Sequence, residues 1–226
     1  MSEPSAEPHY PPAVPHAHTH EWYRYNAGWT AIRKDWRHFC RVHGAESQFE
    51  RLMIALSSRS LWALAAYRFG RWTYSQRSGI LSLPFKLMYH VLYLWGQYVS
   101  KVAIDVNADL GEDVFLSPVG LLFIGPDVRI GPGSFIDGQN TLGVGGRPDA
   151  RGLPMLGDRV HVGPGATLVG PILVPDDTVI GPNSVVTRTL PSAGGWLGCP
   201  AKPYGGAVTD LIPSWAGGWR RYGPDR

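Results

Sequence analysis

Between residues 104 and 186 aliphatic side chains recur at a period of six, and few folds can accept that spacing. The anchors are Ile104, Leu110 and Leu116, then Ile124, Ile130, Ile136 and Leu142, then Leu156, Val162, Leu168, Val174, Ile180 and Val186. Neither the 3.6-residue helix period nor the two-residue strand period generates such a run. A parallel β-helix does, because each hexad lays one short strand along a prism and turns its anchor inward. Four residues beyond an anchor the side chains are mostly small or branched, as at Val128, Ser134, Asn140, Val160, Ala166, Ile172, Thr178 and Ser184. Gly-Pro follows the anchor at 125–126, 131–132, 163–164 and 181–182, supplying turn residues at repeated corners. Single coils cannot bury an apolar face, so they must stack, and the end coils need caps.

Two interruptions break the register. The step from Leu116 to Ile124 is eight residues, and that from Leu142 to Leu156 is fourteen. The longer one predicts a loop ejected from the coil over about 145–154, the place where a rigid solenoid carries function.

Upstream of the hexads the pattern is helical. Trp29, Ile32, Arg33 and Trp36 recur at three-to-four spacing, as do Phe49, Leu52, Met53 and Leu56, and Leu61, Leu64, Ala65, Arg68, Phe69 and Trp72. Ser82, Leu83 and Pro84 form a start signal, with proline in the first turn. The helix that follows is apolar nearly all round, but Lys86, His90 and Gln97 interrupt it. That suits a buried packing helix better than a membrane span, with peripheral membrane contact as the alternative, and His90 reads as a hydrogen-bonded core or interface histidine. The whole predicts an α+β chain: a flexible tail over 1–27, a helical domain over 28–102, a β-helix over 103–204 and a C-terminal tail over 205–226.

Composition narrows the setting. A formal charge of +3 without a run of Lys or Arg argues against nucleic acid as a partner. Cys40 and Cys199 are too few and too far apart for a disulfide framework or a zinc site. The first twenty residues are polar and carry five prolines, unlike a signal peptide, so a reducing cytoplasm is the expected location. His16, His18 and His20 can in principle take a metal, but a solvated tail is the simpler reading, and no metal site is expected.

The hexads, the 145–154 loop and "GCPAKPYG" together resemble the hexapeptide-repeat acyltransferases, which fold as a left-handed β-helix. More closely, the helical N-terminal half, the eight-residue step, "TLGVGG" at 141–146 and "GCPA" at 198–201 resemble serine O-acetyltransferase over roughly residues 30–205. The resemblance implies a trimer or a hexamer, with acetyl-CoA as acyl donor in a cleft between adjacent β-helices. Carried over by position, cofactor contacts fall at Thr141, Leu142 and Gly143, at Gly163, Gly165 and Ala166, and at Gly198, Pro200, Ala201 and Lys202.

Acetylating a hydroxyl requires a base to remove its proton as oxygen attacks the thioester. The resemblance places an Asp-His pair directly after an anchor, but this chain reads Leu116, Ser117, Pro118 there. The Arg-His of the ejected loop is reduced to Arg151, followed by Gly152. Proline offers neither acid nor base. The substitutes in reach are His161, the β-helix's single histidine and expected to face outward near the cleft, together with Asp137, Asp149 and Arg151. Two functions follow: an acyl-CoA-dependent O-acyltransferase with an atypical site, or a catalytically silent trimeric scaffold or regulator. The chain also resembles serine-acetyltransferase-like proteins of exopolysaccharide biosynthesis, a resemblance that implies either a sugar acceptor or a non-catalytic role. A small molecule or a sugar is the expected acceptor of an active enzyme. Trp215, Trp219, Arg220 and Arg221 near the C-terminus suit docking to a protein or membrane, or a cap on the last coil.

Overall fold

The computed structural model describes residues 27–75, 82–117, 120–146 and 151–212. Four helices come first: α1 (Gly28–Val42), α2 (Gln48–Ser57), α3 (Arg59–Ser75) and α4 (Leu83–Ser100). A parallel β-helix follows, its three faces visited in turn by successive strands. The first face stacks β1 (Val102–Ile104), β4 (Leu122–Ile124), β7 (Thr141–Gly143), β10 (Thr167–Val169) and β13 (Val185–Val186). The second stacks β2 (Asp109–Leu110), β5 (Arg129–Ile130), β8 (Met155–Leu156) and β11 (Leu173–Val174). On the third lie β3 (Phe115–Leu116), β6 (Phe135–Ile136), β9 (His161–Val162), β12 (Thr178–Ile180) and β14 (Gly194–Leu197), closed by the antiparallel β15 (Lys202–Pro203).

The register is that of the hexads. Leu116 pairs with Ile136, Ile136 with Val162 and Val162 with Ile180, so anchors stack on anchors up each face. All thirteen anchors are buried, and so is the second row from Val128 to Ser184. Three residues after an anchor the backbone enters the left-handed region, at Asp113, Asp127, Gly133, Gln139, Arg159, Gly165, Asp177 and Asn183. At these eight corners that residue turns the chain from face to face. Polar members of the second row satisfy backbone at these corners: Asn140 Nδ2 donates to the Asp137 carbonyl at 2.9 Å while its Oδ1 accepts from Ala166 N–H at 2.7 Å. The fourteen-residue step is the ejected loop, pinched by reciprocal Gly145–Gly152 backbone bonds of 3.1 Å each.

The helices cap the open end of the first coil. β2 is an edge strand, and α3 supplies donors for it. Tyr67 Oη donates to the Ala108 carbonyl at 2.7 Å, and Arg71 donates to the same oxygen. Arg68 donates to the Leu110 and Gly111 carbonyls at 2.9 and 2.8 Å, while its Nε donates to Asp35 Oδ2 at 2.9 Å. Phe39 of α1 packs on Phe115 with ring centroids 4.5 Å apart, which merges the helical core with the coil core. Val208–Leu211 forms a short 3₁₀ helix whose Leu211, with Ile212, is buried beside β12 and β14 at the opposite end.

The helices form where the periodicity predicts them, but the faces they bury do not all follow it, and the expected burial of α4 fails. In α1 the buried set is Gly28, Ala31, Asp35, His38, Phe39 and Cys40, while Trp29 and Trp36 are exposed. The apolar stripe of α2, Phe49, Leu52, Met53 and Leu56, faces solvent, and α2 buries no residue. α4 is not a buried helix: it docks through Tyr89, Gly96 and Ser100 and exposes most of the rest, His90 included. Tyr89 sits against Gly70, where an added Cβ would lie 2.3 Å from its ring, so α3 and α4 meet through a ring on a bare backbone. Periodicity reported amphipathic helices correctly, but not which face the coil would cover.

Candidate functional site

The corner between the third and first faces carries the candidate chemistry. In successive coils the residue after the third-face anchor is Ser117, Asp137, Gly163 and Gly181, stacked one rung apart at about 4.8 Å. Side chains alternate across a strand, so the residue before an anchor and the one after it leave the same side of the sheet. His161 precedes its anchor in one coil and Asp137 follows its anchor in the coil below. The outcome is a direct contact, His161 Nε2 to Asp137 Oδ2 at 3.0 Å, with both side chains 0 % exposed.

His161 thus faces out of the coil, as its place before an anchor predicts, but it is buried there. It continues an aromatic ladder on the outer side of the third face, where Phe115 stacks on Phe135 at 4.5 Å and Phe135 on His161 at 5.1 Å. Burial pushes the Asp137 carboxyl up from its ordinary range, and the hydrogen bond and charge of His161 pull against that. Asp137 Oδ1 and the buried Ser117 Oγ, one rung below, have no hydrogen-bond partner among the described residues. A carboxylate held on Nε2 fixes that nitrogen as the donor and leaves Nδ1 as the basic one.

The other candidates do not all converge. Arg151 is exposed at the foot of the ejected loop, which leaves the corner between the first and second faces. The first face thus lies between Arg151 and the Asp137–His161 pair, and one chain does not bring them together. Asp149 and Pro118 lie outside the described residues, as do His16, His18, His20, Trp215, Trp219, Arg220 and Arg221. Among the described residues no group of three His, Cys, Asp or Glu side chains is placed to hold a metal.

Of the cofactor candidates, Leu142 and Ala166 are inward core residues with 0 % exposure, and the Leu142 carbonyl already accepts from Gly125 N–H at 2.8 Å. Gly163 is required by the next coil, since an added Cβ would meet the Ile180 carbonyl and Pro182 nitrogen at 2.9 Å. Gly165 turns the corner at φ +76 against Asn183. Thr141 and Gly143 differ: Thr141 is exposed, and a Cβ on Gly143 would meet only Phe123, at 3.7 Å. The segment 198–202 lies beyond β13 along the same face, with the Gly198 carbonyl accepting from Val185 N–H and Ala201 N–H donating back to the Val185 carbonyl, both at 2.9 Å.

Gly163→Ala separates the two kinds of glycine. It should cost about 1–3 kcal/mol through overpacking of adjacent coils, read as a lower urea midpoint, whereas Gly143→Ala should leave that midpoint unchanged.

No family model matches the chain. A serine acetyltransferase of Helicobacter pylori (strain ATCC 700392 / 26695) is 31% identical over 149 residues, covering 66% of this chain and 83% of that protein. The chain belongs to the serine acetyltransferase family. A second member of the family, from Synechococcus elongatus, is 30% identical over 151 residues, 67% of this chain and 59% of its own. Among solved structures, serine acetyltransferase from Brucella abortus strain S19 in complex with coenzyme A superposes with a TM-score of 0.62 at 23% identity, covering 78% of this chain and 67% of that one. The Neisseria gonorrhoeae serine acetyltransferase gives 0.61 at 24% identity, covering 78% and 66%. At those identities the structures establish the shared fold of helices and β-solenoid.

Read by position alone, Asp137 and His161 are separate candidates 24 residues apart. Their contact was encoded nonetheless: remove the ejected loop, align the anchors Ile136 and Val162, and the two fall on one side of adjacent rungs.

Proposed function

We propose that this chain is an acetyl-CoA-dependent O-acetyltransferase in which His161 acts as general base and Asp137 positions it. The hydroxyl oxygen of the acceptor attacks the thioester carbonyl carbon. His161 takes the hydroxyl proton, the carbon–sulfur bond breaks, and the proton passes on to the leaving sulfur. Asp137 holds the imidazole in one tautomer and stabilises its protonated form. Acetyl-CoA supplies the activated acyl group. Thr141, Gly143 and the 198–202 segment hold its arm, and Arg151 of a neighbouring chain completes the cleft in a trimer.

The observation that carries this reading is the Asp137–His161 contact, one rung from the position where Ser117 and Pro118 replace the family's acid–base pair. The acid–base function is moved along the solenoid rather than deleted. Ser117 Oγ and Asp137 Oδ1 are the buried oxygens that an acceptor's polar groups would meet at that corner. Replacing the pair at 117–118 changes the acceptor grip, which favours a sugar hydroxyl, as in exopolysaccharide biosynthesis, over free L-serine.

Full burial of His161 favours a second reading, a silent trimeric scaffold that retains the pair for packing. Thiol release from acetyl-CoA against a panel of L-serine and sugar acceptors decides between them. Transfer to a sugar that Asp137→Asn abolishes supports the relocated site. Absence of transfer to every acceptor, with no heat of acetyl-CoA binding, establishes the scaffold. Pro118→His combined with Ser117→Asp should raise transfer to L-serine above the wild-type level in a folded trimer, because it returns a base to the family's own position. A wild-type protein already fast with L-serine would overturn the relocation.

A further inference from the structure

α4 is folded inside out. Of its eighteen residues twelve are exposed, and all of these except His90 are apolar or aromatic. Leu87 is 67 % exposed, Val91 61 %, Leu94 56 % and Tyr98 86 %. The polar residues Lys86, Gln97 and Ser100 turn inward instead, half-buried or buried. The apolar surface continues onto α2 and α3 through a cleft lined by Leu56, Arg59, Trp62, Trp95 and Val99. No helix among the described residues is long and apolar enough to cross a membrane.

The exposed charges placed at this face, Arg59 in the cleft and Lys101 at the end of α4, are cationic. Between Glu50 and Asp105 the sequence has no carboxylate but holds Arg51, Arg59, Arg68, Arg71, Arg77, Lys86 and Lys101. Arg68 is paired with Asp35 inside the protein, and Arg71 is also buried. Arg51, Arg59 and Lys101 are exposed, with Arg59 beside Trp62 and Trp95 in the cleft and Lys101 capping α4. A two-fold contact between copies would set the same patch on itself. A second copy would bring no carboxylate from this stretch to these cations. An anionic bilayer supplies both missing complements, an apolar layer for the helix face and negative headgroups for its rim. Trp62, Trp95 and Tyr98 are the amphipathic rings that favour the boundary between the two.

We infer that α4, with the α2–α3 cleft, is a peripheral membrane surface that lies flat on an anionic bilayer. It would hold the β-helix at the lipid boundary. The inference stands apart from the acetyl-transfer reading, because it uses no residue of that site.

The test is flotation of the full-length protein with vesicles of phosphatidylcholine alone or mixed with phosphatidylglycerol. Binding should require the anionic lipid and fall steeply as salt rises from about 0.1 M to about 0.5 M, where screening shortens the reach of surface charges. Arg59→Gln with Lys101→Gln should lower the partition coefficient about 30-fold, from two lost cation–headgroup attractions. Leu87→Glu with Leu94→Glu should abolish binding while leaving circular dichroism unchanged. Failure of the wild type to float with either vesicle overturns the inference, as does equal binding to both that ignores the charge variants. A solution assembly that Leu94→Glu reduces in size, without vesicle binding, assigns the face to a second copy and overturns it too.

Discussion

His161→Phe should abolish acetyl transfer while leaving the protein folded. General acid–base help is worth about 10²–10⁴-fold in rate, and a loss in kcat of that size is the expected result for the saturated enzyme. Phenylalanine is the informative replacement because His161 continues the Phe115–Phe135 stack, so another ring keeps the packing and removes only the base. Left beside an apolar ring, Asp137 would be a buried carboxyl without its partner, so Asp137→Asn should accompany the change in a second variant. Both should bind acetyl-CoA as the wild type does, since neither residue lies on the Thr141–Gly143 strip. Asp137→Asn alone should also lose most activity, because an amide oxygen holds the ring without stabilising its charge. Full activity in His161→Phe would remove His161 from the mechanism and leave the proposed site without a base.

The burial of His161 was not legible in the sequence, for an instructive reason. Placing it before an anchor on a strand correctly sent it out of the coil. Outside the coil proved not to be outside the protein, because the third face carries an aromatic layer that begins under α1 with Phe39 and Phe115. Hexad spacing encodes the inner side of a solenoid fully, since only an aliphatic residue fits the narrow prism, and all thirteen anchors are accordingly buried. It says nothing of what lies against the outer sides. The helices show the same limit. The stripe of Phe49, Leu52, Met53 and Leu56 is as regular as a core stripe, yet all four side chains are exposed among the described residues. Periodicity marks a face that wants cover, while tertiary or quaternary structure decides what covers it.

The junction of helices and coil was the least legible part, and it holds the second large effect. Arg68 was counted as one position of an apolar stripe, but it is the group that closes the open edge of the β-helix. Its side chain is 0 % exposed and spends its donors on Asp35 and on the Leu110 and Gly111 carbonyls. Burial pushes the Asp35 carboxyl up, and Arg68 is the main influence pulling it back. Arg68→Met keeps much of the stem volume and removes the charge. Breaking one partner from a buried ion pair typically costs about 3–5 kcal/mol, which should appear as a markedly lower urea midpoint at fixed protein concentration. Asp35→Leu added to Arg68→Met should recover part of the loss, because it removes the stranded carboxyl. It should not recover all of it, since each edge carbonyl left without a donor still costs about 1–3 kcal/mol. Complete recovery would mean that the ion pair alone matters and that the first coil needs no cap from α3. A single variant as stable as the wild type would show that water satisfies this edge, and that the helical half is an attachment to the solenoid rather than its lid.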